Sequence, residues 1–161
     1  MSFEAESRRE STRPARLGAM DSPALDLTAA LARMTWRLEP GTFALVGFSG
    51  PATAQDLDSL HPPGQIVVEC DETSILVGEA ALPGILDRHP AARVEGDLLW
   101  ITFEAPMGWE VVGFLARVTR ALAEAGIPIG AVCGYSRDHL FVARRHRDQA
   151  ERVLRALFPS T

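Results

Sequence analysis

Between Leu98 and the C-terminus the apolar positions change period in an order that defines a fold. Residues 98–103 form a run of strand formers, bounded by Gly96-Asp97 before it and Ala105-Pro106-Met107-Gly108 after it. From Trp109 the period becomes helical: Val111, Leu115, Val118, Leu122 and Ala125 recur on one side, while Arg117, Arg120 and Glu124 face the other. Gly126 ends this predicted helix by tolerating a left-handed backbone, and Pro128 prevents it from resuming. Residues 129–135 and 139–143 follow as two short strands joined across Ser136-Arg137-Asp138. Ala150, Val153, Leu154, Leu157 and Phe158 then mark the apolar face of a last helix whose other face is charged.

The order β-α-β-β-α lets both helices cover one face of an antiparallel sheet, the split βαβ or ferredoxin-like arrangement. One strand is missing from it. Only Pro159, Ser160 and Thr161 follow the last helix, so the closing strand must be borrowed from elsewhere.

The first half shows the same alternation less sharply. Asp21 or Ser22 caps a helix with Pro23 in its first turn and Leu25, Leu27, Leu31 and Met34 on its apolar side. Residues 36–38 are extended, and after Pro40-Gly41 a strand runs through Phe43, Leu45, Val46 and Phe48 to Ser49-Gly50-Pro51. A short helix is predicted over 54–60, strands over 66–69 and 74–77, a helical turn over 80–86, and a strand over 92–94 leading toward Leu98.

Composition narrows the function classes. Residues 1–18 carry four arginines and three glutamates with almost no apolar periodicity, so residues 1–20 read as a disordered tail, with Met20 an alternative start. A net charge of −5 leaves no electrostatic footprint for nucleic acid, and the basic cluster at 144–147 reads as a polar strand-to-helix turn. No stretch is apolar for the ~18 residues of a membrane span, and no secretory h-region is present, which makes the cytoplasm the default location. Cys133 falls in a predicted strand and Cys70 directly follows one, and both are expected to be buried thiols. The four histidines show no metal-ligand spacing, and no cofactor is implied. Phosphate-binding loops with a following lysine are excluded because all sixteen basic residues are arginine. No spacing suggests a nucleophile with its base, and the chain is expected not to be an enzyme.

The segments Gly113-Phe-Leu-Ala116, Leu122-Ala-Glu-Ala-Gly-Ile127 and Gly134-Tyr-Ser-Arg-Asp-His-Leu-Phe-Val142 resemble the ACT domains, small amino-acid-binding regulatory modules. Within that superfamily they are similar to bacterial tandem-ACT proteins related to the CASTOR-type arginine sensors, as are Leu38-Glu-Pro-Gly-Thr-Phe-Ala-Leu45 and Glu72-Thr-Ser-Ile-Leu-Val77. Over residues 35–158 the resemblance implies an α+β fold of two ferredoxin-like (βαββαβ, ACT-type) units side by side, with antiparallel sheets and helices on one face. The organisation expected is an N-terminal helix plus a degenerate first unit over 21–96 and a second unit over 97–161. The implied function is non-catalytic binding of a small molecule, an amino acid, where the units meet. A homodimer is expected because open sheet edges invite a second copy. The alternative is a ligand-free ACT-fold interaction or dimerisation module that acts through a protein partner.

Two places are candidates for the ligand. In the loop 106–113, glycines let the backbone approach a ligand and the helix start offers unpaired N–H groups to a carboxylate. Here the resemblance marks Glu110, Val112 and Gly113; Glu110 either pairs with a ligand amine or simply favours the helix N-terminus. In the following strand and turn, Pro128 and Ile129 fall where the family contacts the ligand's main chain. Asp138 aligns with an aspartate facing the ligand, or else caps its own turn. Arg137 is solvated or meets a ligand carboxylate. A cleft lined by glycine and facing Asp138 would favour a sensor, and one plugged by Trp109 would favour the interaction module. Catalysis would need Cys133 or His139 exposed in a cleft with a shifted pKa.

Overall fold

The computed structural model describes residues 27–105, 107 and 109–159. The tail, the alternative start at Met20 and the cap around Asp21 to Pro23 lie outside them. The described elements are helices α1 (Leu27–Arg33), α2 (Ala54–Asp58), α3 (Leu82–Arg88), α4 (Phe114–Glu124) and α5 (Arg147–Leu157), and strands β1 (Trp36–Leu38), β2 (Phe43–Phe48), β3 (Gln65–Val68), β4 (Thr73–Gly78), β5 (Arg93–Phe103), β6 (Gly130–Cys133) and β7 (Asp138–Ala143). The architecture is α+β. All seven strands join one antiparallel sheet in the order β3-β4-β2-β5-β7-β6, with β1 paired to β5.

β5 organises both halves. Its first part pairs with β2, from Gly47 opposite Arg93 to Phe43 opposite Leu98. Its second part pairs with β7 through residues 98–102 and with β1 through residues 101–103. The strand missing from the C-terminal half is therefore Trp36–Leu38, held opposite Phe103, Thr102 and Ile101. Around β5 the N-terminal half follows a β-α-β-β-α-β path, and the C-terminal half a β-α-β-β-α path whose missing strand is filled by β1.

Three local expectations differ from the structure. Gly96-Asp97 was expected to bound the strand, yet β5 runs through it because the extra residue is absorbed as a bulge: two steps on β2, Phe43 to Leu45, face three on β5, Leu98 to Glu95. Asp97 takes the left-handed conformation there (φ 55°), and its N–H donates to Glu79 Oε1 at 2.6 Å while its carboxylate pairs with Arg144 at 2.7 Å. The boundary expected between residues 96 and 97 thus lies within β5. The helix expected from Trp109 begins only at Phe114, since Gly113 sits at φ 94°, outside the helical region. The helix expected to reach residue 60 ends at Asp58, with Ser59 as its C-cap.

Alternation along the strands divides the core. On the helix-covered face, Leu99, Ile101, Phe103, Leu140 and Val142 pack against Phe114, Val118 and Leu122 of α4 and Ala150 and Leu154 of α5. Phe103 meets Phe114 edge-on at 5.1 Å and Phe158 at 5.8 Å, pairs worth about 0.5–1.5 kcal/mol each beyond their buried area. The N-terminal half packs Val46, Phe48, Ile75 and Val77 against Ile85 of α3. The opposite sheet face carries Phe43, Leu76, Leu98, Trp100 and Val132.

A polar lock holds α2 to α3. Thr53 caps α2 and Asp56 answers it, each side chain bonded to the other's backbone N–H. The fully buried Asp56 carboxylate also accepts from Arg88 at 2.7 Å and lies 2.9 Å from His89 Nε2, whose ring stacks on Phe48 at 3.8 Å. Burial opposes the charge, but the hydrogen bonds from Thr53, His89 and Arg88 outweigh it and hold the carboxyl far below the usual range.

Candidate functional site

The site follows from where β5 stops and α4 starts. The chain leaves Phe103, crosses the end of the sheet and enters α4 at Gly113, whose positive φ a residue with a side chain would adopt only under strain. Across the sheet end, β6 and β7 are joined by a tight hairpin closed by Gly134 N–H donating to Arg137 O at 2.8 Å. Two bonds tie the loop to this hairpin: Met107 N–H to Ser136 O at 3.3 Å and Arg137 Nε to Glu104 O at 3.5 Å. Between them lies a cavity of about 340 Å³. Its walls are the loop (Met107, Trp109, Val111), the start of α4 (Gly113 to Ala116) and the hairpin (Cys133 to Tyr135, Arg137, Asp138).

Of the six residues expected at a ligand, the structure brings Gly113 and Asp138 together in this cavity. Glu110 and Val112 lie on the same loop but are exposed and do not line it. Pro128 is exposed, and Ile129 is half-buried against the main core; neither lines the cavity. Sequence reasoning missed the apolar lining of Met107, Phe114 and Leu115, whose signal was there: Phe114 and Leu115 open α4 directly after the glycine that was singled out.

Trp109 is 85% exposed at the rim and does not plug the cavity. Val112 and Tyr135 are exposed beside it. The expectation of buried thiols is overturned: both cysteines are free and exposed. Cys70 lies in the turn after β3, beyond the strand, and Cys133 ends the edge strand β6 where the cavity opens. Being in a strand buries a side chain only where a second layer covers that position.

Cys133 stands exposed in the cavity with a shifted pKa, as catalysis would need, but the shift is upward. Partial burial against the hairpin pushes the Cys133 thiol up, and its hydrogen bond to the Asp138 carboxylate, with that group's charge, pushes it further, so the nucleophilic thiolate is disfavoured. Burial draws His139 below its ordinary range against the opposing pull of Glu39 and Asp138. His139 Nδ1 is 3.2 Å from the Thr102 hydroxyl, which itself donates to Glu39 Oε1 at 2.6 Å. With its only proton committed to Glu39, the hydroxyl accepts from Nδ1–H, which fixes the tautomer of the neutral ring. No group of three or more metal-ligating side chains stands together among the described residues. Nor is any helix among them long and apolar enough to cross a membrane.

The ends of one strand and one helix, closed over by a hairpin, are the setting of the similarity to known proteins. Residues 93–156 match the model of the ACT domain. The ACT-matching segment begins with β5 and contains every element of the cavity. A protein from Agobacterium tumefaciens superposes with a TM-score of 0.61 at 20% identity, over 84% of this chain and 90% of that one. A Vibrio cholerae protein of unknown function gives 0.59 at 25% identity, over 79% and 91%. The ligand-free regulatory subunit of aspartate kinase from Thermus thermophilus gives 0.57 at 12% identity, over 77% and 97%. The likenesses to the Agobacterium and Thermus proteins establish the fold. No curated protein matches the sequence.

Proposed function

We propose that the protein is a non-catalytic regulatory module that binds a small molecule bearing both a carboxylate and an amine, an amino acid. The observation carrying this reading is one open cavity of about 340 Å³ into which the start of α4 at Gly113 and the carboxylate of Asp138 both project a wall. The first-turn amides of α4 have no partners one turn back and present the positive end of the helix dipole to a carboxylate. Asp138 supplies the charge for an amine, which would take the place of the Cys133 thiol as its hydrogen-bond donor. The raised thiol argues against a nucleophilic role for Cys133.

In the same reading the two halves are two ACT-like units that share β5, the first degenerate, as in the tandem-ACT proteins related to the CASTOR-type sensors. Supporting this are the β-α-β-β-α-β path of the N-terminal half, the β-α-β-β-α path of the C-terminal half completed by β1, and the match of residues 93–156 to the ACT model. The free edges of β3 and β6 suit a homodimer in the cytoplasm. A second reading, the interaction module, draws on Trp109, Val112 and Tyr135, whose exposure around the rim resembles a protein-binding surface.

The test is a thermal-shift screen against the proteinogenic amino acids and ornithine, repeated with Asp138→Ala. Ligand at 100 times its dissociation constant adds about 2.7 kcal/mol, a rise of several degrees. A rise for one or two amino acids that disappears in the variant is expected. No rise with any of them refutes amino-acid binding and moves the weight to the interaction module.

A further inference from the structure

The walls of the cavity at Asp138 differ in chemistry from one side to the other. Arg137 is the one cation in its lining and Asp138 the one anion, and the two are neighbours on the β6–β7 hairpin. Arg137 is exposed and tied only loosely, Nε to Glu104 O at 3.5 Å, and no carboxylate pairs with its guanidinium among the described residues. One positive and one negative group side by side match the carboxylate and ammonium that an amino acid carries on a single carbon.

The wall formed by the loop and α4 has no charge. Its members are Met107, Val111, Phe114 and Leu115. Phe114 is 3% exposed and belongs to the main hydrophobic core, and the other three are half-buried against that core. An apolar group resting on this wall therefore extends the core. Glu110, the acid of the same loop, is exposed and does not line the cavity. A cationic side chain on the ligand would find no second carboxylate there, and a charge taken out of water without a partner is costly. The volume of about 340 Å³ lies near the lower end of the range of about 300–1,000 Å³ for small-ligand pockets, which suits one amino acid.

On the amino-acid reading proposed above, we infer that the site selects an amino acid with a large, uncharged, apolar side chain, of the leucine, methionine or phenylalanine kind. The ammonium meets Asp138, the carboxylate meets the first-turn amides of α4 and the Arg137 guanidinium, and the side chain lies on Met107, Val111 and Leu115. Both charges of the lining are then engaged by the head group, and nothing is left to neutralise an arginine, ornithine or aspartate side chain. Alanine would leave the apolar wall wet. The rings of Trp109 and Tyr135, exposed at the rim, offer further apolar contact to a long side chain.

Isothermal titration calorimetry of the full chain with L-leucine, L-methionine and L-phenylalanine, and with L-arginine, L-ornithine, L-aspartate and L-alanine, tests this. At least one of the first three should bind about tenfold or more tighter than every one of the other four. Leu115→Glu, which sets a carboxylate in the apolar wall, should reverse the order in favour of arginine or ornithine. Arg137→Gln should weaken each ligand that binds by about tenfold and leave the order as it was. A charged amino acid or alanine that binds the wild type as tightly as the best apolar one overturns the selectivity and leaves amino-acid binding standing. Binding by none of the seven overturns the amino-acid reading and the selectivity together. An unchanged order in folded Leu115→Glu also overturns the inference, and the wild-type panel decides the matter if that variant folds poorly.

Discussion

Replacing Asp56 by alanine should produce the largest stability loss of any polar substitution in the N-terminal half. The carboxylate is fully buried and is used at both oxygens, by Thr53 N–H at 2.8 Å, the Thr53 hydroxyl at 2.7 Å, Arg88 and His89 Nε2 at 2.9 Å. Removing one partner of a buried ion pair costs about 3–5 kcal/mol when the orphaned charge stays buried. Arg88 keeps a side chain 23% exposed and can turn partly to water, which places the loss at the lower bound, about 3 kcal/mol including the helix cap. Asp56→Asn keeps an acceptor but loses the charge, and should cost about half as much. Urea unfolding followed by circular dichroism measures both, and the alanine variant should melt roughly 6–12 °C lower. The sign with pH follows from the lowered carboxyl: the folded state holds its proton less tightly, so the stabilisation is complete above the unfolded pKa of about 4 and is lost as pH falls toward the folded value. Acid titration of wild type and Asp56→Asn should therefore begin to converge below about pH 4 and draw together as the pH falls toward the folded value. A loss under about 1 kcal/mol for Asp56→Ala, or parallel acid curves for the two proteins, would refute the reasoning.

Other substitutions test the sheet and the rim. A Cβ at Gly130 would meet the ring of its cross-strand partner Phe141 at 1.9 Å, so Gly130→Ala should destabilise the fold, and adding Phe141→Leu should recover part of the loss in the same melt. His139 has its folded pKa lowered, so its neutral form favours folding above the ordinary histidine range and that contribution falls away as pH drops through it; NMR titration should place its midpoint below that of an unstructured histidine. Trp109→Ala, at an 85% exposed position, should change stability by no more than about 0.5 kcal/mol in chemical unfolding, while altering the response of the cavity to its ligand in the thermal-shift screen.

Much of this was legible in the chain, and the failures share a cause. The periods of α4 and α5 identified the residues that pack on the sheet, because those helices bury one face and expose the other. Counting strands was enough to require a donated one, although only the structure shows that Trp36–Leu38 supplies it, since pairing partners lie beyond any local pattern. Gly96-Asp97 read as a terminator and is a bulge, because the residues that end a strand are also the ones that tolerate its distortion. Val111 fell in phase with α4 without belonging to it; it packs on the same core from the loop. Thr53 and Asp56 carried the capping pattern three residues apart, but that spacing does not reveal that Arg88 and His89 return to the same carboxylate from 32 and 33 residues away. Gly113 and Asp138, marked through the family resemblance, line one cavity, whereas the thiol facing Asp138 could not be told from a core cysteine.

The donated strand has a consequence for how the protein comes into being. During synthesis Trp36–Leu38 emerges early and has nothing to pair with until residues 101–103 have followed it. Its edge stays open through the making of the whole N-terminal half, and the pairing then closes a loop of more than sixty residues. Contacts so distant in sequence form late and slowly. The same strand β5 completes the N-terminal sheet and opens the C-terminal half, so the two halves are tied together through one strand. The chain should accordingly fold, and unfold, as one cooperative body, and a nascent fragment released before Phe103 would expose both the edge of β1 and the apolar ring of Trp36 to aggregation.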